Sequence, residues 1–210
     1  MKKLKIIYED KSLLVVDKDP NKLTISTENE KINTLYHEAR TYVKKQYPKN
    51  KIFIVHRLDK DTSGLIIFAK NEEIKNELQS NWEDVTREYY AVVHGKMPKK
   101  EDTLINYLVE DKNLKITITN NPKIGKKAIT HYEVLKSNSK YSLLRILIKT
   151  GRKNQIRIQL SNIGNPIVGD KKYGSISNPL KRLCLHACLL KYKDYTFESS
   201  IPQNFNKLIK

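Results

Sequence analysis

Apolar and polar positions along the chain mark out many short strands with a few helices between them. Residues 4–10 and 13–17 read as two strands joined by a turn at Asp10, Lys11 and Ser12, with Pro20 closing the second. Residues 33–47 carry the helical period: Leu35, Tyr36, Ala39, Tyr42 and Val43 fall on one face, and Pro48 ends the run. Residues 51–55 alternate as a strand, 56–63 form a mostly polar loop, and 65–69 are wholly apolar. Asn71 is placed to cap a second helix in which Ile74, Leu78 and Trp82 stack at i, i+4 and i+8. Residues 88–93 form a further strand. The lysine- and acid-rich stretch 97–112, with one proline, reads as a peripheral excursion. Strands follow at 115–119, 128–135 and 143–149, separated by turn-rich 120–125 and 137–140. A helix over 155–160 and strands over 183–191 and 195–198 complete the pattern.

Strands dominate, and several succeed one another directly. This order predicts an α+β fold with a largely antiparallel, mixed central sheet flanked by helices and loops. There is no internal repeat, low-complexity tract or clear linker, and 210 residues suit one sizeable domain, so residues 1–210 are expected to form a single unit. No apolar run approaches the roughly 18–20 residues of a membrane span. The basic start Met1-Lys2-Lys3 leads into alternating residues with Glu9 and Asp10 rather than a signal peptide, so a cytoplasmic protein is expected.

Charge narrows the function. Forty Lys and Arg stand against 23 acids, a net charge of +17. Such an excess repels itself unless a polyanion neutralises it, which points first to nucleic acid and second to a membrane surface. Cys184, His186 and Cys188 alternate and would share one strand face. A zinc site is disfavoured because no fourth ligand sits at finger-like spacing, and packed free thiols are the better reading.

Candidate chemistry lies in His56 to Lys70, HRLDKDTSGLIIFAK, where a polar loop separates two core strands. Such loops are held rigidly and often carry catalytic groups. Asp59 sits among His56, Arg57, Thr62 and Ser63, and a carboxylate among cations and hydroxyls can stay ionised and act as nucleophile or base. The plainer alternative is a solvated turn in which Asp61 and Thr62 bond the backbone.

This run resembles the signature of the RluA-type pseudouridine synthases: HRLD, two variable residues, TSG and an apolar strand ending in Ala-Lys. Four further segments resemble the same family in the same order: REYYAVVHG from Arg87, GRKNQIRIQL from Gly151, IGNPIVGDKKYG from Ile163 and RLCLHACLL from Arg182. With the opening IIYEDKSLLVVDK, the resemblance extends over essentially the whole chain. It implies an isomerase that breaks the N-glycosidic bond of uridine, turns the base and rejoins it through C5. Neither cofactor nor metal is expected.

The resemblance also implies roles for residues. Asp59 matches the catalytic Asp, which would either attack C1′ or assist elimination at C2′. Arg157 matches an Arg that pairs with that carboxylate. Tyr89 matches a Tyr whose ring packs on uracil and whose hydroxyl is a candidate for moving the C5 proton; Tyr90 lies on the opposite strand face. The target base must leave the RNA stack, and Arg57 matches an Arg that fills the vacated space. Thr62 and Ser63 are expected to shape the loop and to meet phosphate oxygens, and Arg152 and Lys153 to belong to the RNA-facing surface. His186 is expected to have a structural hydrogen-bonding role.

The chain also departs from the family pattern. Asn154 stands where relatives carry His, which touches one substrate or loop contact. Lys18-Asp19-Pro20-Asn21-Lys22 replaces Lys-Pro-x-Gly, so that turn is expected to be reshaped. The family pattern begins within ten residues of Met1, so no N-terminal S4 RNA-binding module is expected. The expected partner is structured ribosomal or transfer RNA, and the expected state a monomer. Two rival readings stand beside this one. The first is an RNA-binding or ribosome-assembly factor without turnover. The second is a metal-dependent phosphoesterase using His56, Asp59 and Asp61, which lacks a second His/Asp cluster.

Overall fold

A computed structural model of the chain describes residues 4–28, 30–112 and 115–210. The chain divides into two compact units. The first comprises Met1–Val85 with Ala187–Ser199, and the second Thr86–His186 with Ser200–Lys210.

In the first unit, β1 (Ile6–Glu9) and β2 (Leu13–Lys18) form the expected hairpin. Asp10 makes its turn by accepting the amides of Ser12 and Leu13 at 2.7 and 2.6 Å, which satisfies two donors that the reversal would otherwise strand. β2 pairs antiparallel with β4 (Ser63–Ala69), and β3 (Phe53–Ile54) also pairs with β4. β4 is buried along its whole length, as its unbroken apolar run requires. Next to it lies β10 (Leu185–Tyr192), whose residues from Ala187 onward belong to this unit, and β11 (Tyr195–Glu198) pairs with β10. α1 (Leu35–Gln46) is capped by Thr34 and buries Leu35, Ala39 and Val43. α2 (Glu72–Ser80) is capped by Asn71, which accepts the Ile74 amide at 2.8 Å. Trp82 lies beyond α2 in a 3-10 turn, so it leaves the helical stack the sequence suggested.

In the second unit the strand order is β5 (Thr86–His94), β9 (Tyr141–Ile148), β8 (Lys126–Ser137), β6 (Glu101–Glu110) and β7 (Ile116–Thr119), all antiparallel. One sequence expectation is corrected here: residues 97–112 are not a peripheral excursion, because β6 is a ten-residue strand bonded on both sides. Its apolar signal is thin, since Leu104 and Leu108 are its buried hydrophobic residues, and the ladders supply the rest. The short C-terminal helix α4 (Gln203–Leu208) was also not foreseen; it buries Phe205 in the unit's core.

α3 (Gln155–Asn162) packs Ile156 and Leu160 into that core. Two buried glutamines on one helix face fix its position. Gln155 Nε2 donates to Ile129 O at 3.0 Å and to Thr130 Oγ1 at 2.9 Å, and Thr130 Oγ1 donates to Gln159 Oε1 at 2.7 Å. Gln159 Nε2 reaches Leu104 O at 3.1 Å. A buried amide left unpaired costs about 1–3 kcal/mol, so a network satisfied in this one geometry locks the helix onto the sheet.

Candidate active site

The loop bearing Asp59 is pinned from several sides within the first unit. Lys18, at the end of β2, is fully buried, and its ammonium donates to three carbonyls: Lys22 at 2.7 Å, Asp19 at 3.0 Å and Lys60 at 3.0 Å. The first two contacts gather the 19–22 turn, in which Asn21 takes a left-handed conformation at φ 62°, the reshaped turn expected from Pro20-Asn21-Lys22. The third holds the backbone beside Asp59. Thr24 adds a second anchor: its Oγ1 donates to Leu58 O at 2.8 Å and accepts the Leu58 amide at 3.3 Å. The Thr62 amide closes a turn onto Asp59 O at 3.2 Å, leaving the Asp59 side chain half-buried and Arg57 exposed.

His56 is committed to the scaffold. Its Nε2 accepts the Ile67 amide at 3.0 Å, and its ring stacks on Trp82 with centroids 4.4 Å apart. An Nε2 that accepts carries no proton, so the tautomer is protonated at Nδ1. Among the described residues no group of three or more His, Cys, Asp or Glu side chains is placed to hold a metal ion. Thr62 and Ser63 are buried, which suits the shaping of the loop. Gly64 then starts the apolar strand at φ +115°, and a Cβ there would lie 2.1 Å from Ala187 O. The start of β4 thus lies against the start of the neighbouring β10.

In the second unit Arg157 projects from α3 on the side away from Gln155 and Gln159. It is buried in a bidentate pair with Asp170, Nε to Oδ2 at 2.7 Å and Nη2 to Oδ1 at 2.8 Å, while Nη1 donates to Asn154 Oδ1 at 3.0 Å. Its guanidinium lies over the Tyr173 ring, 5.2 Å from the centroid. Asn154 Nδ2 in turn donates to the Tyr173 hydroxyl at 3.0 Å. The segment carrying Asp170 and Tyr173 is tied down by Ser175, whose Oγ donates to Ser177 O at 2.7 Å and accepts the Gly169 amide at 2.9 Å. His94 Nε2 lies 2.9 Å from the same oxygen; since the hydroxyl proton is already used, His94 is the donor. Burial holds the His94 imidazole below its ordinary pKa.

Tyr89 is half-buried in β5 opposite Ile146, packed against the core of this unit. Tyr90, opposite Arg145, shares its strand face with Glu88, which pairs with Arg145 at 2.6 Å. Arg152 and Lys153 are exposed at the start of α3; Arg152 Nε donates to Lys127 O at 3.1 Å, and Lys153 pairs with Glu110. His186 is buried, as a structural role requires. Cys184 and Cys188 are buried free thiols, and burial pushes Cys184 up to about 12.

Residues 12–162, which include the Asp59 loop, Tyr89 and Arg157, match the family model for RNA pseudouridylate synthase. The chain belongs to this family. Pseudouridine synthases are isomerases that act on RNA, as the RluA-type resemblance implied. The chain is 31% identical over 215 residues to an uncharacterised RNA pseudouridine synthase, YjbO, of Bacillus subtilis (strain 168), covering 99% of this chain and 76% of that one. It is 38% identical over 178 residues to the ribosomal large subunit pseudouridine synthase D of Buchnera aphidicola subsp. Baizongia pistaciae (strain Bp), covering 82% of this chain and 54% of the relative. The chain therefore spans about half to three quarters of the length of these relatives. In fold it is similar to human RNA pseudouridylate synthase domain containing 4, with a TM-score of 0.81 at 20% identity over 96% of this chain and 90% of that chain.

Sequence reasoning named Asp59, Tyr89 and Arg157 but assigned no role to Lys18, Asp170 or Tyr173. The family-like segment around Asp170 was visible. That Asp170 serves as a counter-ion of Arg157 is a tertiary fact, since the two are 13 positions apart.

Proposed function

We propose that the chain converts uridine to pseudouridine in ribosomal or transfer RNA, with Asp59 as the catalytic carboxylate. The observation that carries this reading is the Asp59 loop itself. It lies inside the matched family region, and Lys18 and Thr24 pin its backbone while the carboxylate stays half-exposed on a rigid support. In the reaction the N1–C1′ bond breaks and a C5–C1′ bond forms; C5 gives up its proton and N1 gains one, so the product keeps the atoms of the substrate. Tyr89 and Arg157 are the further catalytic groups, Tyr89 as the ring against uracil and the candidate mover of the C5 proton. Exposed Arg57, Arg152 and Lys153 contact the RNA, and Thr62 and Ser63 shape the loop. The net charge of +17 supports attraction to a polyanion and helps to offset the few kcal/mol of unstacking the target base. Ribosomal RNA is supported by the name of the Buchnera relative. A cytoplasmic monomer acting without cofactor or metal completes the proposal. Among the described residues no helix is long and apolar enough to cross a membrane.

The test is to incubate unmodified ribosomal and transfer RNA with the purified protein and map pseudouridine. Product at one or a few defined uridines, absent with Asp59→Asn, supports the reading. RNA binding without product from the unaltered protein would favour the binding-factor alternative.

A further inference from the structure

We propose that Asn154 is the positioning residue of Arg157, an uncharged clamp that fixes the guanidinium plane without titrating; this rests on the catalytic reading of Arg157. The geometry is specific. Arginine only donates, so the Asn154 oxygen must face Nη1, at 3.0 Å, and the amide nitrogen must face the Tyr173 hydroxyl, also at 3.0 Å. The Tyr173 ring underlies the same guanidinium at 5.2 Å. Asn154 thus ties the cation to the aromatic face on which it rests. Asp170 grips the Nε edge of the fork, and Asn154 grips the other. The bond at Nη1 and the ring beneath add to the two bonds of Asp170 in setting the plane of the guanidinium.

The backbone favours the same residue. Asn154 sits immediately before α3 at φ 56° and ψ 19°, a left-handed conformation that Asn tolerates better than most residues, and its carbonyl accepts the Ile158 amide at 3.0 Å to begin the helix. The charged and titratable groups near the amide include Arg157 and Asp170, Tyr173, Lys172, whose ammonium lies 5.7 Å from the Tyr173 centroid, and the neighbouring Lys153, paired with Glu110. A titratable acceptor in this cationic setting would lose its acceptor role on protonation. A neutral histidine can accept from Arg157; a protonated one can only donate, and would repel it.

The test uses the full chain carrying Asn154→Gly or Asn154→His, with two readouts. Glycine keeps the left-handed backbone and removes only the side chain. The first readout is guanidinium NMR: Asn154→Gly should speed rotation and exchange of the Arg157 Nη1 group while the Nε and Nη2 hydrogens bonded to Asp170 stay protected. The second is turnover. Asn154→Gly should lower kcat about tenfold, as loss of one hydrogen bond to a charged group implies, with KM for RNA within about twofold. Asn154→His should keep near-normal kcat at pH 8 and lose it below about pH 6.5, more steeply than the unaltered protein over the same range. Unchanged guanidinium signals, or mobilised signals with unaltered kcat, would overturn the proposal. Failure of the catalytic reading shows separately: the unaltered protein would then make no pseudouridine, while the guanidinium signals still decide whether Asn154 holds Arg157.

Discussion

The ammonium of Lys18, fully buried, donates to the carbonyl oxygen of Lys60 at 3.0 Å, the residue next to Asp59. A buried cation is costly to desolvate and persists where acceptors surround it, here three backbone carbonyls. Lys18→Met would remove these three bonds from part-buried carbonyls and replace a held ammonium by an apolar end. The expected loss is about 3 kcal/mol, read from urea unfolding, with kcat reduced under conditions where the variant remains folded. Unaltered stability would show that the carbonyls find other donors.

Asp59→Asn keeps the size of the side chain and removes its charge. Product formation is expected to fall below detection, while the melting temperature and RNA affinity stay close to those of the unaltered protein. Substantial residual product would show that another group supplies the reactive carboxylate.

Gly64 is required twice over, by its φ of +115° and by a Cβ position 2.1 Å from Ala187 O. Gly64→Ala must shift the backbone of β4 or β10, since the clashing atom belongs to the Ala187 backbone and not to a flexible side chain. Destabilisation above about 3 kcal/mol, or insoluble expression, is expected. A soluble variant melting within a degree or two of the unaltered protein would contradict the close approach.

Arg157 and Asp170 form a buried pair, with side-chain exposures of 9% and 0%. Asp170→Asn removes a carboxylate bonded to the buried guanidinium at two points and should cost about 3–5 kcal/mol. The double variant Arg157→Met with Asp170→Leu should recover much of that loss, because an apolar pair needs no compensation, yet show no turnover. Recovery of turnover in the double variant would remove Arg157 from the catalytic set.

His94 gives the protein an acid sensitivity. Burial lowers its folded-state pKa, so the neutral form is favoured in the folded chain. A depressed folded value contributes stability that is present above the unfolded value, ordinarily about 6.5, and is lost as pH falls through the folded value. His94→Gln can still donate toward Ser175 but does not titrate. Between pH 7 and pH 5 its melting temperature is expected to fall less than that of the unaltered protein; equal slopes would place the acid sensitivity elsewhere.

The sequence by itself determined the strand-rich α+β order, because β2, β4, β5, β8 and β9 carry apolar runs or alternation strong enough to declare their faces. It also located Asp59, since a polar break between two apolar strands is a local pattern, and a long motif there is specific. β6 was not legible: its sparse apolar residues look peripheral until two neighbouring strands bond it. Only the tertiary structure decided what holds the chemistry in place. Lys18 with Lys60, and Arg157 with Asp170, Asn154 and Tyr173, include partners distant in the chain. Whether such a charged side chain is a solvated surface group or a buried anchor depends on which acceptors the fold brings within 3 Å, and no local pattern records that.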